Sequence, residues 1–78
     1  MSSLNNAIQL IREGRKEEAR KILELILRSE PGNIQAWFWS VETYSSIEKR
    51  IQVLEICLEM NPGNAQAMQA LQKLRSQR

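Results

Sequence analysis

The chain carries few side chains that could catalyse a reaction or bind a metal. Its 78 residues include no histidine and a single cysteine, Cys57, and its nine acidic residues are all glutamates. A Ser-His-Asp triad, a Cys-His pair and a zinc site of cysteine and histidine ligands are therefore excluded, as is a disulfide within the chain. The composition predicts a protein that is not an enzyme and that holds no cofactor and no metal.

The remaining reactive side chains have simpler interpretations. Cys57 lies on an apolar stripe with Leu54 and Leu58, where a free thiol usually behaves as a small buried hydrophobic group. Glu17 and Glu18 stand at the start of a predicted helix, where negative charge offsets the helix dipole. We expect structural roles for all three polar groups.

Charge bears on the class of partner. The net charge is +2, from 11 basic and 9 acidic residues that are interspersed along the chain, apart from Lys73, Arg75 and Arg78 near its end. Phosphate contacts dominate nonspecific nucleic-acid binding, and so small an excess makes that function a weak alternative. The basic residues that could make such contacts are Arg12, Arg15, Lys16, Lys73, Arg75 and Arg78.

Hydropathy predicts no membrane partner. No run of about 18 apolar residues is present, and Met1, Ser2 and Ser3 lead directly into a helical pattern instead of a signal peptide. We therefore expect a soluble, cytoplasmic protein.

An internal repeat organises the chain. Pro31-Gly32-Asn33 returns 31 residues later as Pro62-Gly63-Asn64. A repeat of this length is typical of stacked helix-turn-helix units, each of which needs a neighbour to bury its apolar face. The same shift superposes further identical residues: Glu17 on Glu48, Leu23 on Leu54, Glu24 on Glu55, Leu27 on Leu58, Gln35 on Gln66 and Ala36 on Ala67.

Apolar spacing and stop signals predict five helices. Gly14 should end the first helix, Asn33 should cap the third, and Ser45 with Glu48 has the spacing of a capping box for the fourth. Glu24 and Arg28 are expected to pair on the second helix. The third helix has almost no polar face and should lie in the middle of the stack. The predicted helices span about residues 3–13, 15–29, 34–44, 47–60 and 64–76.

These features resemble the tetratricopeptide repeat, whose signature is a Trp, a small residue and a Tyr on one helix, then an Ala, a large apolar residue and a Pro on the next. The second copy departs from this pattern, with Arg50 in place of the small Ala and about three residues fewer after Tyr44. The first copy fits through Ala7, Leu10, Gly14, Ala19, Leu23 and Pro31, and the second through Trp37, Val41, Tyr44, Leu54 and Pro62.

The resemblance implies an all-α domain over residues 1–78, formed by antiparallel helix hairpins in a right-handed superhelix. Hairpin 1 would cover about residues 3–30, hairpin 2 about 33–61, and a capping helix about 64–77. The first helices of the hairpins would line a concave face that binds a peptide or helix of another protein.

Phe38 and Trp39 are the expected contact residues, because Trp37, Phe38 and Trp39 are consecutive and cannot all face one neighbour on a helix. A self-assembling homo-oligomer, for example a homodimer, is the alternative to a scaffold that binds another protein. The residues expected on the partner-binding face are Leu4, Ile8, Ile11, Gln35, Phe38, Trp39, Glu42, Gln66, Gln69 and Lys73.

Overall fold

The computed structural model describes residues 3–78 as five α-helices. Within that range no residue lies in a β-strand, which confirms the predicted all-α class. The expectation that Met1 and Ser2 lead directly into helix falls outside the described residues. None of the described helices is both long and apolar enough to cross a membrane. The helices are α1 (Ser3–Arg12), α2 (Lys16–Ser29), α3 (Ile34–Glu42), α4 (Ile47–Met60) and α5 (Ala65–Arg75).

Glycine ends α1 as expected. Gly14 has a φ of +81°, in the left-handed region that favours glycine. Its amide donates to the Ile11 carbonyl at 3.0 Å, and the Arg15 amide donates to the Leu10 carbonyl at 2.8 Å. This pair of bonds forms a Schellman motif, which satisfies two of the carbonyls left free at the end of α1.

Side-chain caps begin the later helices. The Asn33 side chain accepts a hydrogen bond from the Ala36 amide, and that of Asn64 accepts one from the Ala67 amide. The expected cap of α4 is wrong by one residue, since Ser46 and not Ser45 caps this helix. The Ser46 hydroxyl accepts from the Lys49 amide at 3.4 Å, because residue 46 is the last with an extended backbone.

The 31-residue repeat reappears in the structure. Helices α2 and α4 both have 14 residues and begin 31 positions apart. The residues that follow them, Glu30 and Asn61, have nearly the same backbone angles, with φ and ψ of −134° and 69° against −131° and 65°. Equivalent positions are buried in both copies, among them Leu23 with Leu54, Ile26 with Cys57 and Ala36 with Ala67.

Helix α3 lies between two adjacent cores. It packs against α1, α2 and α4, while the other contacts between described helices join α1 to α2 and α4 to α5. Leu27 packs against both cores. The first core consists of Ala7, Ala19, Leu23, Ile26 and Ala36, and the second of Trp37, Val41, Ile51, Leu54, Cys57, Ala67 and Leu71.

Two arginines close the end of α3. The helix ends at Glu42, two residues before the predicted end. The Arg20 guanidinium of α2 donates to the carbonyl and the hydroxyl of Thr43, and Arg50 Nε of α4 donates to the Tyr44 carbonyl at 2.6 Å. Since α3 has no basic residue in its own last turn, its neighbours supply the positive charge that favours a helix C-terminus.

Helices α2 and α4 run side by side in the same direction. Near their beginnings, Arg20 Cζ lies 4.0 Å from the centre of the Tyr44 ring and Lys49 Nζ lies 5.9 Å from it. Beyond their ends, Asn61 Nδ2 donates to the Pro31 carbonyl at 2.9 Å. Both helices therefore lead from Tyr44 towards Pro31, although they do not pack directly on one another.

Candidate functional site

Helix α3 presents aromatic residues on two opposite sides. Trp37 and Trp39 are two positions apart, which places their side chains about 200° apart around the helix axis. Trp37 is 6% exposed and belongs to the second core, whereas Trp39 is half-buried and packs against the first. Each side of α3 forms the floor of a separate groove, and the two grooves take their walls from different helices.

The first of these, named here the Phe38 groove, is an open depression of about 860 Å³. Its floor is one face of α3, where residues 35, 38, 39 and 42 follow the three-and-four spacing of a helix face. Helix α1 contributes one wall and α5 the other. The groove is lined by Ile8, Ile34, Gln35, Phe38, Trp39, Glu42 and Gln66.

Exposure and charge give this groove a distinct character. Phe38, Trp39 and Ile8 are half-buried, so part of each apolar side chain faces solvent. Glu42 is exposed and is the charged residue among those lining the groove. It occupies the last position of α3. The groove thus combines an apolar floor with an acidic end.

Comparison of the chain with family models, with curated proteins and with solved structures gives no match. The geometry of the grooves is therefore the basis for assigning a function. The structure brings together six of the ten residues expected on the partner-binding face. These are Ile8, Gln35, Phe38, Trp39, Glu42 and Gln66.

The other four expected residues lie outside the Phe38 groove. Leu4 and Ile11 are half-buried and pack against the first core, which is the ordinary role of apolar residues at helical spacing. Gln69 and Lys73 are exposed on α5. Ile34 lines the groove but was not expected there, although its position one turn before Phe38 is a signal that the sequence contains.

A second groove, the Trp37 groove, lies on the opposite side of α3 and was not predicted from the sequence. This groove is the gap between α2 and α4, and its volume is about 520 Å³. Its signal was the four-residue spacing of Ile56 and Met60, which are apolar yet exposed and belong to neither core. The groove is lined by Arg20, Glu24, Leu27, Arg28, Pro31, Trp37, Ser40, Tyr44, Val53, Ile56 and Met60.

The thiol and the paired glutamates have structural surroundings. Cys57 is fully buried, and this burial raises the pKa of its thiol, against a smaller opposing effect of the hydrogen bond to Asn61. A raised pKa keeps the thiol protonated and hence poorly nucleophilic. Glu18 is exposed, and its hydrogen bond from Arg15 lowers the pKa of its carboxyl group. These contacts agree with the packing and surface roles inferred from the sequence.

Several of the basic residues considered for phosphate contacts form ion pairs. Arg75 lies 2.9 Å from Glu55, and Arg78 lies 3.0 Å from Glu48. Arg15 pairs with Glu18 at 2.7 Å. Because each pair places a carboxylate beside the guanidinium, these sites offer less positive potential to a phosphate than their number suggests.

Proposed function

We propose that the chain is a tetratricopeptide-like interaction module without catalytic activity, which binds a helix or peptide of another protein in the Phe38 groove. The observation that supports the proposal is the convergence of Phe38, Trp39 and Ile8 in one open depression. Aromatic side chains in such positions often contribute most of the binding energy of an interface. Apolar grooves of this kind commonly accept the apolar face of an amphipathic helix.

The architecture of this proposal is a solenoid of two helix hairpins and a capping helix in a right-handed superhelix. Its support is the repetition of helix length, cap geometry and burial after 31 residues. The Phe38 groove would lie on the concave face of that solenoid, and the module would act in the cytoplasm as part of a scaffold.

Glu42 suggests the chemistry of the partner. Within residues 3–78 its carboxylate forms no ion pair, and it lies at the edge of the apolar floor of the groove. A partner with an apolar stripe and a lysine or arginine near the C-terminal end of α3 would match both features. Changing Glu42 to Lys should therefore weaken binding, with most of the effect lost at high salt.

Capture of partners from native lysate tests the proposal. The wild-type protein should retain a protein that the Phe38→Glu variant does not, because a carboxylate in the groove would have to be desolvated on binding. Leu25→Glu is the matched control, since Leu25 is 64% exposed on α2 and lies outside the Phe38 groove. The captured protein would then be titrated against the purified chain while the fluorescence of its two tryptophans is followed. Equal capture by all three proteins would refute the proposal.

Two alternatives predict other results. If the Phe38 groove serves self-assembly, the wild-type mass should rise with concentration and Phe38→Glu should restore monomers. If the chain binds nucleic acid, affinity should fall steeply with salt concentration, because phosphate binding releases counterions. The ion pairs of Arg15, Arg75 and Arg78 make this last function the weaker alternative.

A further inference from the structure

The Trp37 groove presents apolar side chains that no described helix covers. Ile56 is 47% exposed and Met60 is 57% exposed, and both line the groove beside the indole of Trp37. We propose that a second copy of the chain covers this groove in a two-fold dimer. In that dimer α2 lies antiparallel to α2 of the other copy, and α4 lies antiparallel to α4.

Charge on α2 supports a second copy as the occupant. Glu24 and Arg28 line the groove one helical turn apart. The expected pair between them is absent, and within residues 3–78 neither side chain forms an ion pair. An antiparallel α2 from another copy would set Glu24 against Arg28 of that copy, and Arg28 against its Glu24. The interface would therefore contain two such ion pairs.

The apolar residues of α4 obey the same symmetry. Ile56 and Met60 are also one turn apart, so an antiparallel α4 would place Ile56 against Met60 of the other copy. A two-fold interface requires this reciprocity. If residue i of one copy contacts residue j of the other, then residue j of the first copy contacts residue i of the second. Packing these side chains together would remove the largest exposed apolar groups of the groove from water.

One symmetry axis satisfies both helices. The midpoint between Glu24 and Arg28 is position 26, which the 31-residue repeat aligns with position 57 of α4. The hydrogen bond between Asn61 and Pro31, 30 positions apart, gives the two helices about the same register. The midpoint between Ile56 and Met60 is position 58, so the two midpoints differ by one residue, or about 1.5 Å along a helix. Because α2 and α4 run in the same direction, a single axis across the groove can pass through both midpoints.

The small size of the chain favours association. Its Cα atoms extend over only 34 × 24 × 14 Å, and an interface of standard size, about 800 Å² from each partner, would add substantially to the surface that it buries. A domain of this size also buries only about 60% of the surface of its unfolded chain. Association would therefore add apolar burial to a fold with a limited core.

Sedimentation equilibrium on the full chain tests the dimer. The wild-type mass should rise with concentration to twice the 9.1 kDa of one chain. Ile56→Glu should raise the dimer Kd at least about tenfold, because it would bring an unpaired carboxylate into the interface. Leu25→Glu is the matched control on a different surface and should leave the Kd unchanged. Circular dichroism would establish that each variant is folded.

A charge exchange tests the antiparallel arrangement itself. Glu24→Arg and Arg28→Glu should each raise the dimer Kd by about threefold to tenfold, because each creates like-charge contacts across the axis. The double variant should return the Kd to the wild-type value. A chain that stays monomeric at millimolar concentration would overturn the proposal, as would a double variant no tighter than the single ones. Phe38→Glu should leave dimerisation intact. A failure of the proposed dimer is therefore distinguishable from a failure of the proposed partner binding in the Phe38 groove.

Discussion

Arg20 and Arg50 reach the same end of α3 from two different helices, and each donates a hydrogen bond to a backbone carbonyl there. Arg20 comes from the second turn of α2, and Arg50 from the first turn of α4. Their guanidinium groups close α3 where the chain turns sharply into α4. The 31-residue repeat aligns Arg50 with Ala19 of the first copy, so the contact of Arg50 with the end of α3 belongs to the second copy alone.

Loss of Arg20 should destabilise the fold. Arg20→Ala removes a charge-assisted pair of hydrogen bonds to Thr43 and the stacking on Tyr44, so we expect the unfolding free energy to fall by about 1.5–3 kcal/mol. Urea denaturation would measure this fall in the unfolding free energy. Lys21→Ala, at an exposed neighbouring position, should change the unfolding free energy by less than about 0.5 kcal/mol. Equal effects of the two substitutions would contradict the role given to Arg20.

The two Pro-Gly turns should respond differently to alanine. Gly63 has a φ of +87°, whereas Gly32 has no positive φ. Gly63→Ala should therefore cost about 1 kcal/mol of stability. Gly32→Ala should be neutral or stabilise by about 0.4–1 kcal/mol, since its new Cβ would meet only Asn61 Oδ1 at 3.7 Å. Thermal unfolding of both variants would check this contrast. A larger loss of stability for Gly32→Ala than for Gly63→Ala would contradict the backbone conformations of the two glycines.

Two asparagines should respond differently to aspartate. Asn61 donates through its amide nitrogen to the carbonyls of Pro31 and Cys57, and a carboxylate cannot replace that donor. Asn61→Asp should reduce the unfolding free energy by about 0.5–1.5 kcal/mol. Asn33 instead accepts a bond at the start of α3, where aspartate caps equally well. Asn33→Asp should hence leave stability unchanged, and chemical denaturation of the pair would test both.

Alkaline pH should weaken the fold through Cys57. Burial raises the pKa of its thiol in the folded chain, so folding favours the protonated form. This contribution is complete below the ordinary thiol pKa of about 8.5 and is lost as pH rises through the higher folded value. The unfolding free energy of the wild type should therefore fall relative to that of Cys57→Ala as the pH is raised above this point. A constant difference between the two proteins would be evidence against a buried, protonated thiol.

The sequence predicted the helices well because their boundaries depend on local chemistry. Gly14, Pro31 and Asn64 act within a few residues of the helix ends that they define, and the 31-residue repeat predicted the equivalence of α2 and α4. The choice between Ser45 and Ser46 as a cap was wrong because both have the same side chain. Only the backbone path after α3 distinguishes them.

Features that depend on distant contacts were harder to predict. The early end of α3 involves Arg20, which is 23 positions from Thr43. The Trp37 groove exists because α2 and α4 leave a gap between them above α3, and the spacing of Ile56 and Met60 indicates only the α4 side of it. Six of the expected residues lie together in the Phe38 groove, and four of them could be grouped from the sequence because they share one face of a single helix.

The position of α3 between two cores has a consequence for amide hydrogen exchange. Opening α1 or α5 exposes one core, whereas opening α3 exposes both, together with the leucine at position 27 that joins them. Protection should therefore be lost from the outer helices first. The shortest of the five helices should be the slowest to exchange.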